Sequence, residues 1–159
     1  MPMQCEIVTQ ERTVYSEEVD AVNLPSPEGR MGVLPNHMVM LSALDFGEVV
    51  VRRGNSEEFF AIGGGFVEIL PDRVTILADS AEHAEEIDIE RAQQARERAE
   101  QAMGEGVPED SERYAQIEAS LRRAQIRIEV SRRRGTGRRR RARPAGRDIP
   151  MEEAEEGEE

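Results

Sequence analysis

The stretch from Phe59 to Asp88, FFAIGGGFVEILPDRVTILADSAEHAEEID, decides how the rest of the chain is read. It opens as a strand, Phe59-Phe60-Ala61-Ile62, and meets a break at Gly63-Gly64-Gly65. Two more apolar runs, Phe66–Leu70 and Val74–Ala78, flank a Pro71-Asp72 turn and read as paired strands. At Asp79 the β-type sequence ends for good. Everything before it reads as short strands and turns, and everything after it as helix and then charged tail. The segment closes a β domain and launches a helical one.

Toward the N-terminus the pattern of strand and turn persists. Gln4–Thr9 alternates, and Val19–Leu24 is stopped by the turn-rich Pro25-Ser26-Pro27-Glu28-Gly29. Gly32-Val33-Leu34 ends at Pro35-Asn36, and Met38–Leu41 continues as apolar sequence. Glu48–Arg53 lies between Gly47 and the Gly54-Asn55 turn, which joins it to Glu57–Ile62. Short strands with a turn signal about every ten residues predict a β-sandwich or barrel. About 80 residues suffice for a modest core and no more.

Toward the C-terminus, Asp88 is a good N-cap for a first helix. Ala92, Ala95, Ala99 and Ala102 recur at 3-4-3 spacing, an alanine stripe down one face. Met103-Gly104-Glu105-Gly106-Val107-Pro108 interrupts it, and a second helix is expected from about Glu109. There Tyr114, Ile117, Leu121, Ala124 and Ile128 form a stripe of larger residues. A small stripe facing a large one is what two closely packed antiparallel helices need. Such a hairpin has little core of its own and must lean on something. The expected fold class is therefore α+β in two parts. Residues 1–84 form an all-β sandwich, residues 85–133 an antiparallel two-helix hairpin, and residues 134–159 a disordered Arg-rich then Glu-rich tail.

The formal charge of −12 conceals an asymmetry. Residues 131–159 carry nine arginines against seven acids, while residues 1–130 carry twelve against twenty-six. An acidic body repels nucleic acid, so no nucleic-acid partner is expected. No window approaches the roughly 18 apolar residues of a membrane span, so direct insertion is not expected either. The N-terminal MPMQCEIVT lacks the regions of a signal peptide, and the lone Cys5 leaves no intrachain disulfide; both point to the cytoplasm.

No catalytic constellation emerges. The triple glycine is followed by a strand, whereas a phosphate loop needs a helix N-terminus there; a bulge or close backbone approach fits better. His37 and His83 are far apart and lack further ligands at metal spacing. Arg91 and Arg98 lie seven apart on one helix, and Arg123 and Arg127 four apart on the other. Guanidinium forks at these positions suit one anionic ligand. Spacing alone favours the alternative, in which they are solvated or paired with Glu85, Glu97 and Glu118.

Three segments carry a resemblance. GRMGVLPNHMVMLSAL, EEFFAIGGGFVEIL and VTILADSAEHAEEID together resemble the epsilon subunit of bacterial F-type ATP synthases, over about Met3 to Val130. The resemblance implies a non-catalytic rotor subunit whose sandwich binds the gamma subunit and the membrane c-ring. Its hairpin either folds against the sandwich or extends into the alpha/beta catalytic head, restraining ATP hydrolysis. The loop from Ser26 through Glu28 to Arg30, and His37, match the region that meets the c-ring and gamma. Pro27 and Arg30 depart from the small residue and the acid common there. Ile87-Asp88-Ile89-Glu90-Arg91-Ala92 matches the [IL]-D-x-x-R-A motif of members that bind ATP as a regulator. With it, Glu82, Asp88, Arg91, Arg98, Arg123 and Arg127 are expected to hold regulatory ATP, with no other cofactor required. Two rival readings are a free-standing β-sandwich that binds a ligand or a protein, and a nucleic-acid-associated protein acting through Arg132–Arg147, against which the acidic body and Glu-rich terminus argue.

Overall fold

A computed structural model describes residues 1–134; the expected tail from residue 135 onward lies outside the described residues. The strands are β1 (Met3–Val8), β2 (Thr13–Val19), β3 (Ala21–Ser26), β4 (Gly29–Val33), β5 (Met40–Arg53), β6 (Ser56–Leu70), β7 (Arg73–Ala78) and β8 (Ala81–His83). They hydrogen-bond in the order β2-β1-β7-β6-β5-β3-β4, with β8 added to β6. β1 runs parallel to β7 and antiparallel to β2.

Two long strands carry the architecture. β5 and β6 pair antiparallel along almost their whole length around the Gly54-Asn55 turn, from Arg53 opposite Ser56 to Met40 opposite Ile69. The far half of β6 pairs with β7, from Gly65 to Leu70, while the near half pairs with β8, from Phe60 to Ile62. The near half of β5 pairs with β3. One ribbon therefore serves both layers of the sandwich. The expected break at Gly63-Gly64-Gly65 is a bend within a continuous strand. The ladder skips Asp45 and Gly64 there without changing register, since Leu44 lies opposite Gly65 and Phe46 opposite Gly63. Gly64 and Gly65 have φ of 93° and 131°, and a Cβ on Gly65 would lie 2.1 Å from the Leu77 carbonyl oxygen. Glycine is required there by both conformation and space.

The core lies between the layers. Cys5 and Ile7 on β1, Phe60 and Ile62 on β6, and Ile69 and Ile76 beyond the bend are fully buried. Tyr15 meets Phe60 edge-on at 5.2 Å between centroids.

Three strand expectations need correction. β2 was not expected; only Tyr15 and Val19 of its seven residues are buried, so its apolar signal is weak. β3 extends through Pro25 and Ser26, which were read as loop. Its pairing with β5 has ended by Asn23, so the missing Pro25 N–H is not needed. Strand structure also resumes after Asp79, as β8.

The chain then makes a single 3₁₀ turn, Ala84–Glu86, whose backbone Glu85 N–H donates to His83 Nδ1 at 3.1 Å. Helix α1 (Ile89–Gly104) begins at the Asp88 cap, whose Oδ1 accepts from Arg91 N–H at 3.1 Å. Helix α2 spans Glu112–Ser131 and starts later than expected, because Ser111 is its cap and Pro108-Glu109-Asp110 form the turn before it. Ala92 and Ala99 on α1, and Ala124 and Ile128 on α2, are the buried positions along the hairpin seam. Tyr114, Ile117 and Leu121 are only half-buried.

A second apolar side of α2 anchors the hairpin. Val130, with Ile126 beside it, packs on Val50, Phe59 and Ala61 of the sheet and on Ala84 and Ile87 of the hinge. α1 packs mainly on α2, while α2 packs on β5 and β6. The sandwich face that carries the hairpin is thus the outer face of the near halves of β5 and β6.

Candidate functional site

Arg127 projects from α2 toward β8, a strand that exists to present Ala81, Glu82 and His83 along the edge of β6. Its Nε donates to Glu82 Oε2 at 2.6 Å and its Nη2 to Glu82 Oε1 at 3.1 Å, a two-pronged charge-assisted contact. The side chains remain 22% and 29% exposed, so the pair is partly screened. Arg127 thus pairs with Glu82, in place of the Glu85, Glu97 and Glu118 expected as alternative partners.

One turn earlier, Arg123 occupies the wall between two cavities. The first, of about 470 Å³, lies between the helices, with Arg98, Arg113, Arg123 and Arg127 around a floor of Ala99 and Ala124. The second, of about 380 Å³, lies between α2 and the sandwich, and Arg12, Asp79 and Glu82 share its lining with Arg123 and Arg127. Among the described residues, Arg91, Arg98 and Arg123 make no ion pair. The small side chains of the alanine stripe leave the space, α1 adds Arg98, and α2 supplies Arg113, Arg123 and Arg127.

Of the six expected residues, the structure places Arg98, Arg123 and Arg127 on the inter-helix cavity, and Glu82 with Arg123 and Arg127 on the second cavity. It does not bring in the other two. Asp88 spends its carboxylate on the α1 cap, and Arg91 is exposed and outside the lining of the inter-helix cavity. Seven residues separate Arg91 from Arg98, about 10 Å along the axis, so the shared face spans more than one small anion.

The other expected contact residues lie on two separate turns. Ser26 Oγ donates to the Gly29 carbonyl at 2.7 Å and closes the β3–β4 hairpin, with Glu28 exposed at its tip. Arg30, on the same hairpin, reaches Glu48 at 3.9 Å. His37 sits on the β4–β5 connection, its Nδ1 2.8 Å from the Met38 carbonyl, beside Asn36, which has a φ of 64°. Among the described residues, no hydrogen bond or ion pair joins His37 to the Ser26–Gly29 turn.

One surface was not anticipated. Leu41, Phe66 and Leu77 are 71%, 56% and 53% exposed, and the pairing of Phe66 with Leu77 puts them on one outer sheet face. This is the layer opposite the one that carries the hairpin. The signal was in the strands themselves: Phe66-Val67 and Ile76-Leu77 place apolar residues on both sides of the pleat.

Comparisons with known proteins agree with this architecture. Residues 2–84 match the family described as ATP synthase, Delta/Epsilon chain, beta-sandwich domain, and residues 85–132 its long alpha-helix domain. An ATP synthase epsilon chain of Herpetosiphon aurantiacus is 53% identical over 131 residues, covering 82% of this chain and 95% of that one. One from Chloroflexus aggregans is 42% identical, covering 82% and 93%. A chain in the mitochondrial ATP synthase structure of Euglena gracilis superposes with a TM-score of 0.66 at 27% identity, covering 79% of this chain and 78% of that one. The chain belongs to the ATP synthase epsilon chain family.

Proposed function

We propose that this chain is a non-catalytic subunit of the central rotor stalk of a proton-translocating ATP synthase. In that reading it couples c-ring rotation to ATP synthesis and restrains ATP hydrolysis through its hairpin. The observation that carries the reading is the division of the sandwich into two used outer faces. One holds the hairpin through α2; the other exposes Leu41, Phe66 and Leu77, an apolar surface that a monomer has no reason to keep. The gamma subunit is the partner proposed for that surface. The c-ring is proposed to meet the turns of Ser26, Glu28, Arg30 and His37. Among the described residues, no helix is long and apolar enough to cross a membrane. The chain is proposed to sit as a peripheral component on the cytoplasmic face of the membrane.

The hairpin is suited to a switch because its hold on the sandwich is small. α2 contributes Ile126, Val130 and a few arginines, while α1 rests mainly on α2. Regulatory ATP is proposed to bind at the inter-helix cavity, its phosphates on Arg98, Arg123 and Arg127. Two of these arginines have no ion pair to give up. The third must share or release Glu82. ATP that binds only the docked hairpin would favour that state by mass action, as an effector and never as a substrate.

Two measurements test this. Pull-down by the gamma subunit should be lost with Phe66→Glu and Leu77→Glu together, while the melting curve of the chain stays unchanged; retained binding sinks the proposed gamma contact. Calorimetric titration with ATP should give one-to-one binding that disappears in Arg98→Ala and Arg123→Ala. No heat at millimolar ATP would remove the effector and leave the rotor assignment standing.

A further inference from the structure

The family match ends at residue 132, and the next two residues make contacts that the matched segment does not supply. The chain stays coiled past α2, with Arg133 N–H donating to the Val130 carbonyl and Arg134 N–H to the Ser131 carbonyl. This turn aims both guanidinium groups back at the sandwich. Arg133 Nε lies 3.3 Å from Glu48 Oε2, and its guanidinium sits 5.5 Å from the centre of the Phe59 ring. Glu48 is only 13% exposed at its side chain and receives Arg30 as well, from the β3–β4 hairpin. Arg134 Nε donates to the Ala84 carbonyl at 2.8 Å, and its Nη2 donates to the Ile87 carbonyl.

Those two carbonyls belong to the residues at either end of the hinge. Ala84 opens the 3₁₀ turn, and Ile87, in extended conformation, follows it just before the Asp88 cap. A single planar guanidinium that spans both sets the distance between them, because its donors have fixed geometry. We propose that Arg134, assisted by Arg133, is a latch that staples this hinge in its bent form and so holds the hairpin docked. The far end of the hairpin thereby locks its own starting point. Swinging α1 away from the sandwich requires new backbone angles between Ala84 and Asp88, and these pull the two carbonyls out of the fork. Lysine cannot replace the arginine, since a point charge on a flexible stem bonds one carbonyl without fixing the other. Arg133 adds a second hold on β5 and β6, away from the hinge.

The inference rests on the reading of the hairpin as a mobile element, and it is tested on the isolated chain, independently of any catalytic head. Val50→Cys places a thiol on the sheet beneath α2, where it labels only when the hairpin lifts. The native Cys5 lies in the sandwich core and labels only when the sandwich unfolds. In the Val50→Cys chain, adding Arg134→Ala should speed labelling at position 50 about tenfold while Cys5 labelling is unchanged, as expected for losing charge-assisted bonds in one local opening. Arg134→Lys should fall between the two, and Arg132→Ala should match the parent. Equal labelling at position 50 with and without Arg134 overturns the latch. So does a parallel rise at both thiols, which would mark loss of general stability. If position 50 labels slowly in every variant, the hairpin does not lift, and the switch reading fails with it.

Discussion

At the scale of single residues, the strongest constraints are conformational and electrostatic. Gly65 combines a φ of 131° with a carbonyl oxygen 2.1 Å from where a Cβ would stand. Gly65→Ala is expected to destabilise the sandwich by about 3 kcal/mol or more, read from denaturant midpoints. Cys5 shows the opposite kind of constraint. Burial, with a smaller contribution from the Glu6 charge, pushes its thiol up from 9.0 to about 12. Burial, with Glu58 nearby, likewise raises the Tyr15 phenol. The folded chain keeps these groups neutral where the unfolded chain ionises, so the stabilisation is complete below pH 9 and is lost as pH rises toward 12. Stability should fall by about 1.4 kcal/mol per pH unit above pH 9 from Cys5 alone. Denaturation at pH 8, 9, 10 and 11 checks this, and Cys5→Ala should flatten the slope whatever its effect at pH 8.

At the scale of elements, legibility tracked the clarity of the period. The α1 cap at Asp88 and the alanine stripe were plain because a 3.6-residue repeat needs only one buried side. The second anchoring side of α2, Ile126 and Val130, was hidden because the helix carries two apolar faces and the reading followed one. Strand ends fared worse. Gly47 read as a strand boundary, yet it serves the close approach to Pro25 inside β5, while the close backbone approach expected at the triple glycine is made by Gly65 against Leu77, within a strand that runs on through it. The seam offers a clean test. Ala99 is 6% exposed, and Ala99→Leu must wedge the helices apart. It should cost about 1–3 kcal/mol within the hairpin. Hydrogen exchange should quicken in α1 and α2 while the sandwich amides keep their protection.

At the scale of the whole molecule, the two parts differ in independence. Every residue of the sandwich core lies between Met3 and Ala81, whereas the hairpin's anchoring cluster borrows Val50, Phe59 and Ala61 from the sheet. A chain ending at Asp88 should therefore retain a cooperative melt, and a peptide of residues 85–134 should be mostly unfolded by circular dichroism. A helical 85–134 peptide would show that the hairpin needs no support and would weaken the case for a docked and an undocked state. The four-arginine expectation belongs to this scale too. Spacing placed Arg98, Arg123 and Arg127 on suitable faces. The fold added the Glu82 fork and left Arg91 outside the inter-helix cavity.

What the sequence determined by itself is the class of the chain and the kind of each part. Alternation, turn residues, caps and stripes are local, and the family motifs between Gly29 and Asp88 carry the rest. What only the tertiary structure decided is which long-range groups meet. The single β5–β6 ribbon serving both layers, the exposed Leu41, Phe66 and Leu77 face, the Arg127–Glu82 pair and the Arg134 grip on the hinge all join residues far apart in the chain. Their physical reason is packing. Such contacts are set by how the layers and α2 pack on one another, and no local period records that.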